Sequence, residues 1–132
     1  MADPVLELQG SIIARIRANS GVTALVANRI ADIPQSTWVK PYINIGPSNY
    51  VAELIDCVDG GEVMIQIDCW SESTTMKEIR DVADAVRRAL RNWEPTLATN
   101  AIVTFDPWRT DYIRDGAIKQ ASLRYTAIVE EP

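Results

Sequence analysis

Apolar residues recur along this chain with two periods. Val5, Leu8, Ile12 and Ile16 repeat at helical spacing, with Ile13 widening the stripe and Arg15 and Arg17 outside it. Asp3 is placed to cap this helix, and Pro4 suits its first turn, where the missing N–H would have no partner anyway. Gly10 weakens the helix by about 1 kcal/mol relative to Ala. Asn19-Ser20-Gly21 stops it, and "VTALVA" predicts a short helical turn before "RIADI". A second stripe, Ile79, Val82, Ala83, Val86, Leu90 and Trp93, predicts another helix, opened by a capping box in which Thr75 and Glu78 bond each other's backbone N–H. Arg80–Asp84 and Asp84–Arg88 fall four apart on its polar side.

The other period is two. "YINI" alternates Ile43 and Ile45 with Tyr42 and Asn44. In "GEVMIQIDCWSES", Val63, Ile65, Ile67 and Cys69 share one face; Glu62, Met64, Gln66, Asp68 and Trp70 share the other. That second face mixes apolar and polar residues, which points to a partner or a covering loop. Ala121, Leu123, Tyr125, Ala127 and Val129 form one face of a C-terminal strand, and "AIVTFDPW" supplies another strand. "RTDYIRDG" connects the two and ends in a hairpin signal, Asp115-Gly116. "PQSTWVKP" reads as a loop, and so does "GPSNYVAELIDCVDGG".

The predicted order is helix, strand, long loop, strand, helix, strand, turn, strand. It implies an α+β fold with a single antiparallel or mixed β-sheet of about four to five strands and two helices packed on one face. At 132 residues the chain is bounded to one domain, 1–132, with a long loop at 46–61. Its hydrophobic fraction of 47% and charged fraction of 23% are ordinary globular values and exclude disorder. No run approaches the roughly 18 apolar residues of a membrane helix, and the N-terminus has no signal-peptide pattern, so a cytoplasmic setting with reduced Cys57 and Cys69 is expected.

Location makes the charge informative. The net charge is −5, and between Pro41 and Met76 there is no Lys or Arg while Glu53, Asp56, Asp59, Glu62, Asp68 and Glu72 all fall there. Such a stretch is either a solvated acidic loop or a surface that repels nucleic acid or meets a basic partner. Reactive chemistry is sparse. Histidine is absent, which removes the commonest general base and metal ligand. Two cysteines cannot complete a zinc site, and Cys69 lies on the apolar face of its strand, where a buried structural thiol is expected rather than a nucleophile. Phosphate-loop, GxGxxG and GxSxG signatures are missing. The carboxylate pairs Asp56/Asp59 and Asp81/Asp84 read as surface charge. Arg87, Arg88 and Arg91 complement a helix C-terminus without forming a DNA-binding stripe. No catalytic residue, cofactor site or metal site is expected.

The sequential pattern "PYINIG", an acidic segment ending "DGGE", "IQIDCWSES" leading into "KEIRDVADAVRRAL", and "DYIRDG…ASLRYTAIVEE" resembles the tail-completion, or tail terminator, proteins of long-tailed (siphovirus-like) phages, prophages and gene transfer agents. The resemblance runs over nearly the whole chain. It implies a non-enzymatic structural protein of the virion tail–head junction, assembled in the host cytoplasm. In that family a homo-hexameric ring caps the tail tube, stops polymerisation of the tube protein and offers a docking face to the head–tail connector, with DNA passing through unbound. On this reading Glu53, Asp56, Asp59 and Glu62 are candidate channel-lining acids, and Trp38, Tyr50, Val51, Leu54 and Trp108 are candidate interface residues. Two rival readings stand beside it: a head-side connector protein, and a small cytoplasmic α+β ligand-binding protein or enzyme.

Overall fold

The two central strands decide the architecture, because each keeps its buried apolar residues on one side. In the computed structural model, which describes residues 2–55 and 58–132, these strands are β3 (Val58–Ser71) and β5 (Ile118–Glu130). They pair antiparallel in a register that sets Val63 opposite Ala127, Ile65 opposite Tyr125, Ile67 opposite Leu123 and Cys69 opposite Ala121. All eight side chains are buried beneath α1 (Pro4–Arg17), the short α2 (Ser20–Val26) and α3 (Lys77–Leu90). β1 (Ile30–Ala31), β2 (Tyr42–Ile55) and β4 (Ala101–Asp115) complete a five-stranded mixed sheet of order β1-β2-β3-β5-β4. Only β1–β2 is parallel. The α+β reading of the sequence holds, with three helices instead of two.

Local chemistry explains most boundaries. The Asp3 carboxylate accepts from the N–H groups of Val5 (2.8 Å) and Leu6 (3.0 Å), and Asn19 Oδ1 caps α2 from Val22 N at 3.1 Å. The capping box expected at α3 is not formed. Met76 is the N-cap, Thr75 Oγ1 accepts only from Lys77 N, and the Glu78 carboxylate turns instead to Ser71 Oγ at 2.6 Å. Ser71 is fully buried at the end of β3, so Glu78 ties sheet to helix where the box would have satisfied only backbone. Trp93 lies beyond α3, which ends at Leu90, and packs edge-on against Phe105.

Segment 46–61, expected to be a loop, is strand in its described parts: β2 runs to Ile55 and β3 starts at Val58. Its turn-forming residues serve a bulge between Ile45 and Ser48. Gly46 belongs there because a Cβ at that position would overlap the Asp68 carboxylate of the neighbouring strand. At the other end of the sheet, Gly116 takes φ 59° and turns β4 into β5 between the paired residues Asp115 and Ile118, as the Asp-Gly signal predicted.

Glu7 anchors the segment that leads into β4. Its carboxylate accepts from the backbone N–H of Asn100 (3.0 Å), from Asn100 Nδ2 (2.7 Å) and from Thr99 N (3.0 Å). The Asn100 backbone bond is the main cause that holds this carboxyl below its usual range. A depressed folded-state value means that the stabilisation is present above the unfolded-state value and lost as pH falls through the folded one. Glu7→Gln is therefore expected to flatten the acid limb of the stability curve below about pH 4.3, the ordinary Glu value. Urea midpoints measured across that range check this; parallel curves for both proteins would contradict it.

Candidate assembly surfaces

The helices leave the second face of the sheet uncovered, yet its centre is not wet. Gln66 and Asp68 are only 7% and 4% exposed. Their cover is a mesh of polar side chains from adjacent strands. Asp68 Oδ1 accepts from Gln66 Nε2 (2.9 Å) and Gln120 Nε2 (3.0 Å), and Gln66 Oε1 accepts from Arg124 Nε (3.1 Å). The Arg124 guanidinium lies 5.7 Å from the centre of the Trp108 ring, which is itself 56% exposed at a bulge of β4. Trp70 Nε1 donates to Asn44 Oδ1 at 2.6 Å, and Arg109 pairs with Asp111 at 2.9 Å. A buried carboxylate fixed by several donors makes a stiff surface whose shape does not wait for a ligand. The mixed face seen in the sequence is thus partly covered by the sheet's own side chains.

This face is asymmetric along the strands. At one end Trp38, Tyr42 and Trp70 form a chain of rings with centroids 5.9 and 6.5 Å apart, next to exposed Val39 and Ile113. At the other end the register places Glu53 and Glu130 on either side of Gly60, with Glu62 one row away between Val51 and Ile128. Glu53, Glu62 and Glu130 are exposed and make no ion pair among the described residues.

The four acids grouped from the sequence are therefore divided. Glu53 and Glu62 share the open face; Asp59 pairs with Leu54 and alternates to the helix side; Asp56 lies outside the described residues. Glu130 joins the first two, although it stands 68 positions from Glu62 in the sequence. Only the β3–β5 register unites them, and alternation along β5 was the one available signal.

The candidate interface residues are also dispersed. Val51, 57% exposed, lies on the open face beside Glu62. Tyr50 points the other way, packs against the core and donates to Glu131 Oε2 at 2.8 Å. Burial first, then that carboxylate, pushes its pKa up to about 12. Leu54 lies on β2 opposite Asp59, and Trp38 is half-buried against Tyr42.

A groove of about 650 Å³ runs on the helix side between the end of α3 and β4. Arg87, Leu90, Arg91 and Trp93 form one wall, and Phe105, stacked on Tyr125 at 5.1 Å, forms the other. Arg87 is engaged with the Tyr112 hydroxyl at 2.9 Å, whereas the side chain of exposed Arg91 has no hydrogen bond or ion pair among the described residues. Sequence reading missed this groove, since Arg91 and Phe105 belong to different elements. Burial pushes the Cys69 thiol far up, and among the described residues no three metal-binding side chains gather. Among those residues, too, no helix is long and apolar enough to cross a membrane.

Comparison with known proteins bears on what these surfaces are for. Residues 10–130 match the family described as tail completion protein gp17. A chain in the virion of a native gene transfer agent (GTA) particle has the same fold, with a TM-score of 0.89 and 20% sequence identity over 98% of this chain and 99% of that one. No curated protein matches the sequence. The family match runs from the middle of α1 to the end of β5, in accord with the resemblance read from the strand and helix motifs. This chain belongs to the tail completion protein gp17 family, whose members are structural assembly proteins of phage tails.

Proposed function

We propose that six copies of this chain close into a ring that caps the finished tail tube, stops further addition of tube protein and presents a docking surface to the head–tail connector. The match over residues 10–130 carries this reading. The sheet supports it physically. β1 covers β2 only at Ile43 and Asn44, so among the described residues the outer edge of β2 beyond them is unpaired, and so is the outer edge of β4. These edges are on opposite sides of the subunit, as a head-to-tail ring requires. Val51 on β2 and Trp108 on β4 stand where neighbouring copies meet. Trp38, with exposed Ile33 and Val39 nearby in sequence, belongs to a rim that contacts other tail proteins.

In this ring the stiff open face turns inward and the helices outward. Glu53, Glu62 and Glu130 then line the channel, repeated in every copy. A DNA phosphate backbone binds proteins largely through counterion release to cations, so an acidic wall lets DNA pass without adhering. Repetition around a narrow opening focuses the field. The protein has no catalytic step to perform and acts in the virion at the tail–head junction after assembly in the host cytoplasm.

Deleting the gene is expected to yield overlong tubes separated from filled heads in electron micrographs. Tubes of normal length that fail to join heads would move the protein to the head side of the junction, and intact particles would end the assembly reading. The triple replacement Glu53→Gln, Glu62→Gln, Glu130→Gln is expected to leave particles assembled and slow DNA ejection. Unchanged ejection from such particles, or failed assembly, would remove these acids from the channel.

A further inference from the structure

Which backbone groups the two outer edges leave open follows from the ladder itself. Ile43 N donates to the Arg29 carbonyl at 2.9 Å, so Ile43 points its N–H and C=O away from β3. Alternation past the bulge makes Ser48, Tyr50 and Ala52 point outward too. Cys69, opposite Ile43, then bonds toward Ala121 on β5, and the residues between such positions on β5 bond toward β4. The Ile128 N–H, which reaches Thr104 Oγ1 on β4, obeys this rule. Tyr112, level with Ala121, therefore points its backbone outward from β4, as do Thr110 and Arg114. Among the described residues no strand lies beyond any of these six. Both sets also carry their side chains on the helix side, where Tyr50 and Tyr112 pack against the core. This match comes from having four antiparallel strands, β2, β3, β5 and β4, in the sheet. An even number restores both strand direction and facing, so β2 of one copy can follow β4 of another with all helices on one side.

We propose that in the ring the outer edges of β2 and β4 of successive copies pair antiparallel, with Tyr50 opposite Tyr112, and join the subunit sheets into one closed barrel around the channel. β1 dictates the stagger. Within one subunit Tyr112 is level with Cys69 and Ile43, so in an unshifted neighbour β4 would run into β1. Tyr50 is level with Val63, six rows from Cys69, and a slide of that size ends β4 at Asp115 just short of Ile45, clear of β1. Smaller even slides leave Asp115 level with Asn44 or past it, and odd ones put the outward groups out of phase. The six-row slide sets Ser48, Tyr50 and Ala52 opposite Arg114, Tyr112 and Thr110. That stretch is bounded by Pro47 on β2 and by Pro107 on β4, which has no N–H to give. On the open face it sets Glu53 opposite Arg109 and brings exposed Val51 diagonal to exposed Ile113.

The geometry suits closure. Four strands span roughly 19 Å, and six rows rise roughly 20 Å. Strands then tilt by about 45° to the ring axis, at the upper end of the usual range for barrels. This contact rests on the ring reading and adds to it which backbone groups of two copies meet and in what register. Glu53 still faces the channel, and Gln at that position keeps an oxygen for Arg109, so the seam and the acidic wall do not compete.

Cysteine cross-linking in purified particles tests the register. Asn49 and Ile113, both exposed, fall opposite each other in a pair without mutual backbone bonds, where side chains approach most closely. Asn49→Cys and Ile113→Cys are combined in a Cys57→Ser background and compared on non-reducing gels with Asn49→Cys plus Arg109→Cys, which the proposed register keeps roughly 13 Å apart along the strand. A ladder up to the hexamer is expected from the first pair and monomer from the second. In parallel, Glu53→Arg or Arg109→Glu is expected to lower incorporation into particles by about fivefold, and the double reversal to restore most of it. Rings visible on the tails without a ladder from the first pair, equal ladders from both pairs, or single reversals that incorporate normally would overturn this seam while the ring stands. Unmodified particles whose tails carry no ring of this chain would overturn both.

Discussion

One-sided burial of β3 and β5 is the constraint from which the rest follows. Their paired apolar rows, Val63 to Cys69 and Ala121 to Val129, have to be covered, and α3 covers them with Ile79, Val82, Ala83 and Val86 while α1 adds Leu8, Ile12 and Ile16. Burying side chains of this size contributes about 1.5–3 kcal/mol each relative to leaving them exposed. Once three helices are committed to that side, no helix among the described residues remains to cover the other. The open face must then be stable in water by itself, and its strands answer with the Asp68–Gln66–Gln120–Arg124 mesh instead of a second core. Gly46 is part of the same solution, because its bulge closes over Asp68 where any side chain would collide.

That division of labour suits an assembly component. The polar groups Gln66, Asp68, Gln120 and Arg124 are spent on one another, so the centre of the open face is a stiff, preformed surface. The sheet's margins carry the outer strand edges of β2 and β4 and exposed acids that make no ion pair among the described residues. Those margins are where the proposed ring makes its contacts. The bulges and Pro107 in β4 limit indiscriminate pairing along that edge, which favours one specific neighbour over open-ended aggregation.

Local signals were legible in the sequence and register was not. Asp3 and Pro4 marked α1, the stripe from Ile79 to Leu90 marked α3, alternation marked β3 and β5, and Asp115-Gly116 marked their partner's turn. β2 was cut short because Gly46, Pro47, Ser48 and Asn49 are turn formers by composition, here used within a strand. β4 beyond Trp108 read as a connection, since an exposed edge strand with two bulges loses its alternation. The capping box failed because Ser71, seven residues before Glu78, offered a buried hydroxyl that no pattern could place there. For the surfaces the limit was the same. Separating Asp59 from Glu53 and Glu62, and adding Glu130, requires knowing which residues stand opposite one another across strands.

In the proposed ring the subunits turn their open sheet face inward at the end of the tail. Cryo-electron microscopy of the tail–head junction in intact particles is the experiment of choice. One sixfold ring of this chain is expected between tube and connector, with β3 and β5 facing the channel and α1 and α3 on the outside. A ring with the helices toward the channel, or density for this chain anywhere but the end of the tube, would contradict it.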